Sequence, residues 1–165
     1  DKAIEDYSKA AQLNPRMDIF KANLGSAYRL NKNYQKAIEA YDEVLKAHPD
    51  NYMVLNNKGI AQYEMKDYDN AIKTLNECLN KKKDYAYAFN NIGLCYYKKK
   101  EYSLAIEAYT KAIALNPDYG EAYVNRGAAK ELSRDMTGAC SDWEKAESLG
   151  ITNLHDYHTI CNEYK

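Results

Sequence analysis

A step of 34 residues constrains this chain more than any other feature. Gly25, Gly59, Gly93 and Gly127 stand 34 apart, and Ala3, Ala37, Ala71, Ala105 and Ala139 keep the same step. Ile4, Ile38, Ile72 and Ile106 share it, as do Tyr34, Tyr68 and Tyr102, and Pro15, Pro49 and Pro117 fall in one register. Self-similarity of this length marks an array in which no unit can bury its apolar face alone, so that units stack on their neighbours. The division is a half unit over 1–17, full units over 18–51, 52–85, 86–119 and 120–153, and a tail over 154–165. A chain of 165 residues is long enough for one domain with a sizeable core, and its totals call for no second.

Within a unit, apolar residues recur every three or four positions, as in Phe89, Ile92 and Tyr96 and again in Ala105, Tyr109, Ala112 and Ile113. This spacing predicts two amphipathic helices per unit. Asn31-Lys32-Asn33 and Lys99-Lys100-Glu101 are polar turns short enough to force the pair antiparallel. Asn116-Pro117-Asp118 and His48-Pro49-Asp50 combine a helix-stopping proline with an aspartate suited to cap the next helix. Glycine costs about 1 kcal/mol in a helix interior relative to alanine. Its recurrence at one phase therefore predicts a compensating close approach of the first helix to the second, where a small alanine such as Ala105 faces it.

These positions resemble the tetratricopeptide repeat family. Phe89, Ile92-Gly93, Tyr96, Ala105, Tyr109, Ala112 and Pro117 match its pattern of a bulky residue, Leu-Gly, Tyr, Ala, an aromatic, Ala and Pro, and Leu24-Gly25, Tyr28, Ala37, Tyr41 and Pro49 match it again. Lys58 and Gln62 depart from the usual Leu and Tyr, Lys83 and Ile151 from proline, and Arg126 and Lys130 loosen the last unit. The resemblance implies an all-α, right-handed superhelical solenoid of antiparallel helix-turn-helix repeats. It also implies a scaffold that binds an extended or helical segment of a partner protein in a concave groove lined by the first helices. The alternative is a structural self-assembly module of a larger protein.

Carried over residue by residue, the groove draws on Asn23, Asn57, Asn91 and Asn125, each two residues before a repeat glycine. An amide can donate to and accept from a peptide backbone at once, which suits a sequence-tolerant grip; the alternative is that asparagine is simply common there in the family. Met53, Ile60, Tyr63, Tyr87, Leu94 and Tyr97 offer an apolar and aromatic strip on first helices, unless some of them pack neighbouring units. Asn56 and Asn90 complete the amides, and Arg29 and Lys98 place positive charge at one edge, countered by Glu64, Glu121 and Glu131. The family's clamp for acidic carboxyl-terminal tails is not present. Its positions hold Ala22, Ser26, Asn57, Tyr87 and Asn91, or, one unit later, Asn56, Ile60, Asn91, Glu121 and Asn125, and each alignment matches once.

The remaining features narrow the class. With 23 Lys and Arg against 24 Asp and Glu the net charge is −1, which argues against nucleic acid, and Lys81-Lys82-Lys83 and Lys98-Lys99-Lys100 read as solvated helix ends. No apolar run approaches the roughly 20 residues needed to cross a bilayer, and no targeting element is visible, so the compartment stays open. No nucleophile with a base is discernible, so no enzyme and no cofactor are expected. His155, His158 and Cys161 step by three and spread around a helix, which suits exposed residues better than a metal. Cys78, Cys95, Cys140 and Cys161 form no CxxC pair and read as small core residues, with a Cys140–Cys161 disulfide as the exception that needs an oxidising compartment.

The ends differ. Leu154, Tyr157, Cys161 and Tyr164 share one helical face, with Asp156, Asn162 and Glu163 elsewhere, and read as a capping helix over 154–165. At the front, Ala3, Ile4, Tyr7 and Ala10 form a second helix whose first helix is missing. Either residues precede it in the natural chain, or this uncapped helix can self-associate.

Overall fold

The computed structural model describes residues 2–14, 17–152 and 157–162, and among them all regular structure is helical. Pro15, Asn153, Leu154, His155, Asp156, Glu163, Tyr164 and the side chain of His158 lie outside the described residues, and with them part of the proline register, of the tail helix and of the histidine pair. The chain divides into two compact units, Asp1–Lys83 and Asp84–Lys165. Unit 1 holds α1 (Lys2–Leu13), α2 (Asp18–Leu30), α3 (Tyr34–Ala47), α4 (Tyr52–Glu64) and α5 (Tyr68–Lys81); unit 2 holds α6 (Ala86–Lys98), α7 (Tyr102–Leu115), α8 (Gly120–Leu132), α9 (Met136–Ser148) and α10 (Tyr157–Cys161). The hairpins are α2 with α3, α4 with α5, α6 with α7 and α8 with α9.

Each hairpin turns on the same short device. After α2, the Asn33 N–H donates to the Tyr28 carbonyl at 2.8 Å and the Lys32 N–H to the Arg29 carbonyl at 2.9 Å, the two bonds of a left-handed helix stop. The residue that turns the chain is Lys32, at φ 60°, and its equivalents are Lys66, Lys100 and Arg134 at 66°, 63° and 69°. The next residue already caps the second helix: Asn33, Asp67 and Asp135 accept from the backbone N–H of Lys36, Asn70 and Gly138. A side chain at positive φ costs roughly 1–2 kcal/mol, which glycine avoids at the expense of a more flexible unfolded chain. Lys66→Gly is therefore expected to stabilise unit 1 by about 0.5 kcal/mol, read as a higher urea midpoint at unchanged slope. A lower midpoint would mean that Lys66 contributes more through its side chain than its backbone loses.

The repeat glycines do make the close approach, but not against alanine. A Cβ on Gly25 would stand 2.6 Å from Tyr41 Cε1, one on Gly59 2.7 Å from Leu75 Cγ, and one on Gly93 2.5 Å from Tyr109 Cε1; Gly127 meets the Trp143 indole in the same way. Ala37, Ala71, Ala105 and Ala139 are fully buried, yet the residue beneath each glycine is the large one a helical turn later. The bare backbone is a seat for a ring or a branched chain, and the alanine lets the second helix come near enough to place it there. Tyr41, Leu75 and Tyr109 are at 0 % exposure, so the two helices share one core through these contacts.

Unit 1 packs Ala37, Tyr41, Val44, Val54 and Ala61 together, with Tyr28, Ile38 and Leu45 against them. In unit 2, Ala105, Tyr109 and Ala129 form one cluster, and Ala112, Ile113 and Ala122 a second that holds Phe89 and Tyr123. Arg126 and Lys130 do not loosen the last hairpin. Both reach the buried Asp142 of α9: Arg126 Nε and Nη2 donate to its two carboxylate oxygens at 2.8 and 2.6 Å, and Lys130 Nζ lies 2.9 Å from Oδ2.

Cys140 and Cys161 are bonded, with Cα atoms 5.6 Å apart, so the exception, and not the free-thiol reading, holds for this pair. Cys78 and Cys95 are free and buried, and burial pushes their thiols up to about 11 and about 12. The bond ties α10 to α9, where Tyr157 and Cys161 bury against Ala139, Cys140 and Trp143, and the Tyr157 hydroxyl lies 2.6 Å from Glu147 Oε2. With five residues, α10 is far below the length at which a helix persists alone. Burying Tyr157 returns about 2–3 kcal/mol, less than the roughly 5–10 kcal/mol that ordering a five-residue segment costs. The disulfide closes a loop across 21 positions, a constraint of about 3 kcal/mol on the unfolded chain.

Candidate protein-binding surface

The first helices of each unit lie side by side, α2 touching α4 in unit 1 and α6 touching α8 in unit 2. Polar bonds join them. In unit 1, Arg29 near the end of α2 donates to Glu64 Oε1 of α4 at 3.0 Å, with the side chains 23 % and 30 % exposed. The positive edge expected at Arg29 is thus already matched by a carboxylate. In unit 2, Asn125 Nδ2 of α8 donates to Asn90 Oδ1 of α6 at 3.0 Å.

That second bond sorts the asparagines. Asn90 and Asn56, three residues before a repeat glycine, were expected on the binding surface but are buried at 3 % and 5 % exposure. One residue toward the helix start turns the side chain by about 100°, which takes Asn90 from the outer row into the seam between α6 and α8, where a buried amide needs a partner. Asn23, Asn57, Asn91 and Asn125 are half-buried. Asn125 spends one donor on the seam, so its amide is a helix-to-helix strut before it is anything else.

The aromatic and apolar strip divides as well. Met53 and Tyr87 are half-exposed, at 54 % and 50 %. Ile60, Tyr63, Leu94 and Tyr97 are partly covered. Leu94 and Tyr97 pack on the Ala105, Tyr109 and Ala129 cluster. The Tyr63 ring stands 5.7 Å from Tyr68 and the Tyr97 ring 5.8 Å from Tyr102, each bracing its own hairpin. Burial raises the Tyr97 phenol, with Tyr102 and Glu131 adding to the effect, so it stays protonated.

Tyr87 has company absent from the expected set: its ring centroid is 5.4 Å from Tyr85 and 5.1 Å from Tyr119, at the start of α6 and α8. Burial raises the Tyr119 phenol, and the nearby Glu121 carboxylate, Tyr87 and Tyr85 raise it further. Three tyrosine rings therefore gather near Asn91 on unit 2. Tyr85 and Tyr119 stand one 34-residue step apart, which is the signal that marks them in the sequence. Among the described residues, no group of three His, Cys, Asp or Glu side chains is arranged to hold a metal ion, and no helix is long and apolar enough to cross a membrane.

Family models described as tetratricopeptide repeat match residues 18–84 and 86–119. No curated protein matches the sequence. Among solved structures, a MamA fragment from Desulfovibrio magneticus RS-1 is 24 % identical, with a TM-score of 0.77 over 90 % of this chain and 84 % of that one. PilF of Pseudomonas aeruginosa is 24 % identical, with a TM-score of 0.79 over 89 % of this chain and 67 % of that one. A tetratricopeptide repeat protein of Thermus thermophilus is 16 % identical, with a TM-score of 0.81 over 97 % of this chain and 87 % of that one. At these identities the likeness is one of fold.

Proposed function

We propose, from the premise that this chain belongs to the tetratricopeptide repeat family, that it holds an extended or helical segment of a partner protein against its first helices. The observation that carries this reading is the exposed face at the start of α6 and α8, where Tyr87 stands half-exposed between Tyr85 and Tyr119. Tyrosines offer a large contact area at little cost in rotamer freedom, and they are enriched where proteins meet. Asn91, one helical turn along α6, supplies an amide for the partner's backbone. In unit 1, Met53 and Asn57 of α4 are the corresponding pair. The buried Asn56 and Asn90 are left out of the contact set.

The test is a photo-crosslinking residue placed at Tyr87 in the living source cell, followed by affinity measurement with the captured segment. Asn91→Ala is expected to weaken binding by about 1–3 kcal/mol, roughly 5- to 150-fold in Kd, and Tyr87→Ala by a similar factor, with the thermal midpoint little changed. Parent-like affinity in both variants would move the binding surface off unit 2's first helices.

A second reading, self-association through α1, is favoured by one observation. Tyr7 shares the register of Tyr41, Leu75, Tyr109 and Trp143, each seated under a glycine, yet Tyr7 is only half-buried and α1 has no buried residue. Light scattering at high concentration is expected to give more than one-chain mass, reduced by Tyr7→Glu; one-chain mass throughout would end this reading.

A further inference from the structure

Cys161 stands in the register of Gly25, Gly59, Gly93 and Gly127, and Cys140 in that of Ile4, Ile38, Ile72 and Ile106. The described part of the tail, α10, is thus a piece in phase with the first helices. Where those helices present a bare backbone to a second helix that follows, α10 presents a sulfur bonded backward to α9. Beneath it lie Ala139 and Trp143, at 0 % and 7 % exposure, with Met136 at the side of the cluster. These residues form the apolar edge of the last hairpin, and α10 covers them.

We propose that the Cys140–Cys161 bond is a redox latch: while it is intact α10 closes the apolar edge of α9, and a dithiol reductant opens it. The exchange balances as two electrons and two protons passed from the dithiol to the pair. A thiolate of the reductant attacks one cysteine sulfur, the S–S bond breaks, and the other cysteine leaves as a thiolate that takes up a proton. The reductant's second thiol then displaces the first cysteine from the mixed disulfide, leaving two cysteine thiols and an oxidised, cyclic reductant. Cys140 and Cys161 are covered in the closed state, at 7 % and 2 % exposure, so attack proceeds when α10 frays. A helix of five residues opens in this way on its own, and only the covalent tie returns it to the same place. Cys78 and Cys95 are buried elsewhere, on α5 and α6, so the pair reacts without competition from them. Opening uncovers Trp143, which α10 covers in the closed state.

The chain has a single tryptophan, so Trp143 reports on the latch directly. The experiment takes the oxidised full chain, adds dithiothreitol under native conditions, and follows tryptophan emission, acrylamide quenching and alkylation by iodoacetamide with mass spectrometry. The expected result is a red-shifted emission, a severalfold rise in quenching, and alkylation of Cys140 and Cys161 while Cys78 and Cys95 stay unmodified. The double variant Cys140→Ala with Cys161→Ala is expected to show the open-state emission without reductant and no response to it. A parent-like tryptophan signal in the reduced chain or in the double variant would overturn the latch, because packing would then be holding α10. Alkylation of Cys95 along with the pair would overturn it too, since reduction would be unfolding unit 2 as a whole, and so would a bond that resists dithiothreitol in the native state.

Discussion

Asp142→Ala is expected to destabilise unit 2 by about 3 kcal/mol, read as a fall in the urea midpoint at unchanged slope. The Asp142 side chain is 4 % exposed and holds two cations, Arg126 through both of its oxygens and Lys130 through one. Deleting it leaves both facing a cavity in a poorly solvated hairpin. Because Arg126 and Lys130 keep 15 % and 18 % exposure, water relieves part of the cost, which holds the expectation at the lower end of the range for a broken buried pair. Other units show how the trio can be dispensed with. The position of Asp142 is Ala108 or Ala40 elsewhere, that of Arg126 is Ile92 or Leu24, and that of Lys130 is Tyr96 or Tyr28. The triple replacement Asp142→Ala, Arg126→Ile, Lys130→Tyr is therefore expected to recover most of the loss, since well-packed apolar residues commonly equal a buried ionic cluster. A single-variant loss under about 1 kcal/mol, the worth of an exposed pair, would show that solvent screens this cluster far more than its geometry implies.

Gly93→Ala carries the second large effect. Its Cβ would stand 2.5, 2.7 and 2.9 Å from three atoms of the Tyr109 ring, which is fully buried and has nowhere to withdraw. Overpacking of this kind costs about 1–3 kcal/mol, while alanine returns about 1 kcal/mol of helix propensity. The steric term wins where the ring cannot move, so a net loss of about 2 kcal/mol is expected. A double-mutant cycle isolates it: Tyr109→Ala alone costs about 3–5 kcal/mol as a cavity, and the double variant should lose at least about 1 kcal/mol less than the two singles added together. Strict additivity would mean that the ring and the glycine are not in contact. A stabilised Gly93→Ala would mean that propensity outweighs packing here.

The helices and their antiparallel pairing were legible because apolar spacing and turn chemistry are local. Phe89, Ile92 and Tyr96 mark one face whatever the rest of the chain does. The close approach at glycine was legible too, from its cost and its recurrence, but what it approaches was not. Ala105 and Tyr109 both face inward, and only the packed hairpin shows which of them lies under Gly93. Lys32, Lys66, Lys100 and Arg134 gave no sign of positive φ, because the residue that normally advertises it is absent. Arg126 and Lys130 looked like disorder in the pattern, although Asp142, an acid in place of a small residue in the same hairpin, was the compensating signal.

The candidate surface was legible as a row of positions and not as a set of exposed atoms. Asn90 and Asn91 are the same residue type, one beside the other, and the helix turns one into a buried seam with Asn125 and leaves the other half-buried. Sequence determined the period, the helical hairpins and the family, since these rest on spacing that each segment carries within itself. Tertiary structure alone decided which amides are struts, which side chain fills each glycine seat, and that Cys140 and Cys161 meet. Those outcomes depend on the angle between packed helices, and that angle is set by the summed fit of side chains distant in the chain.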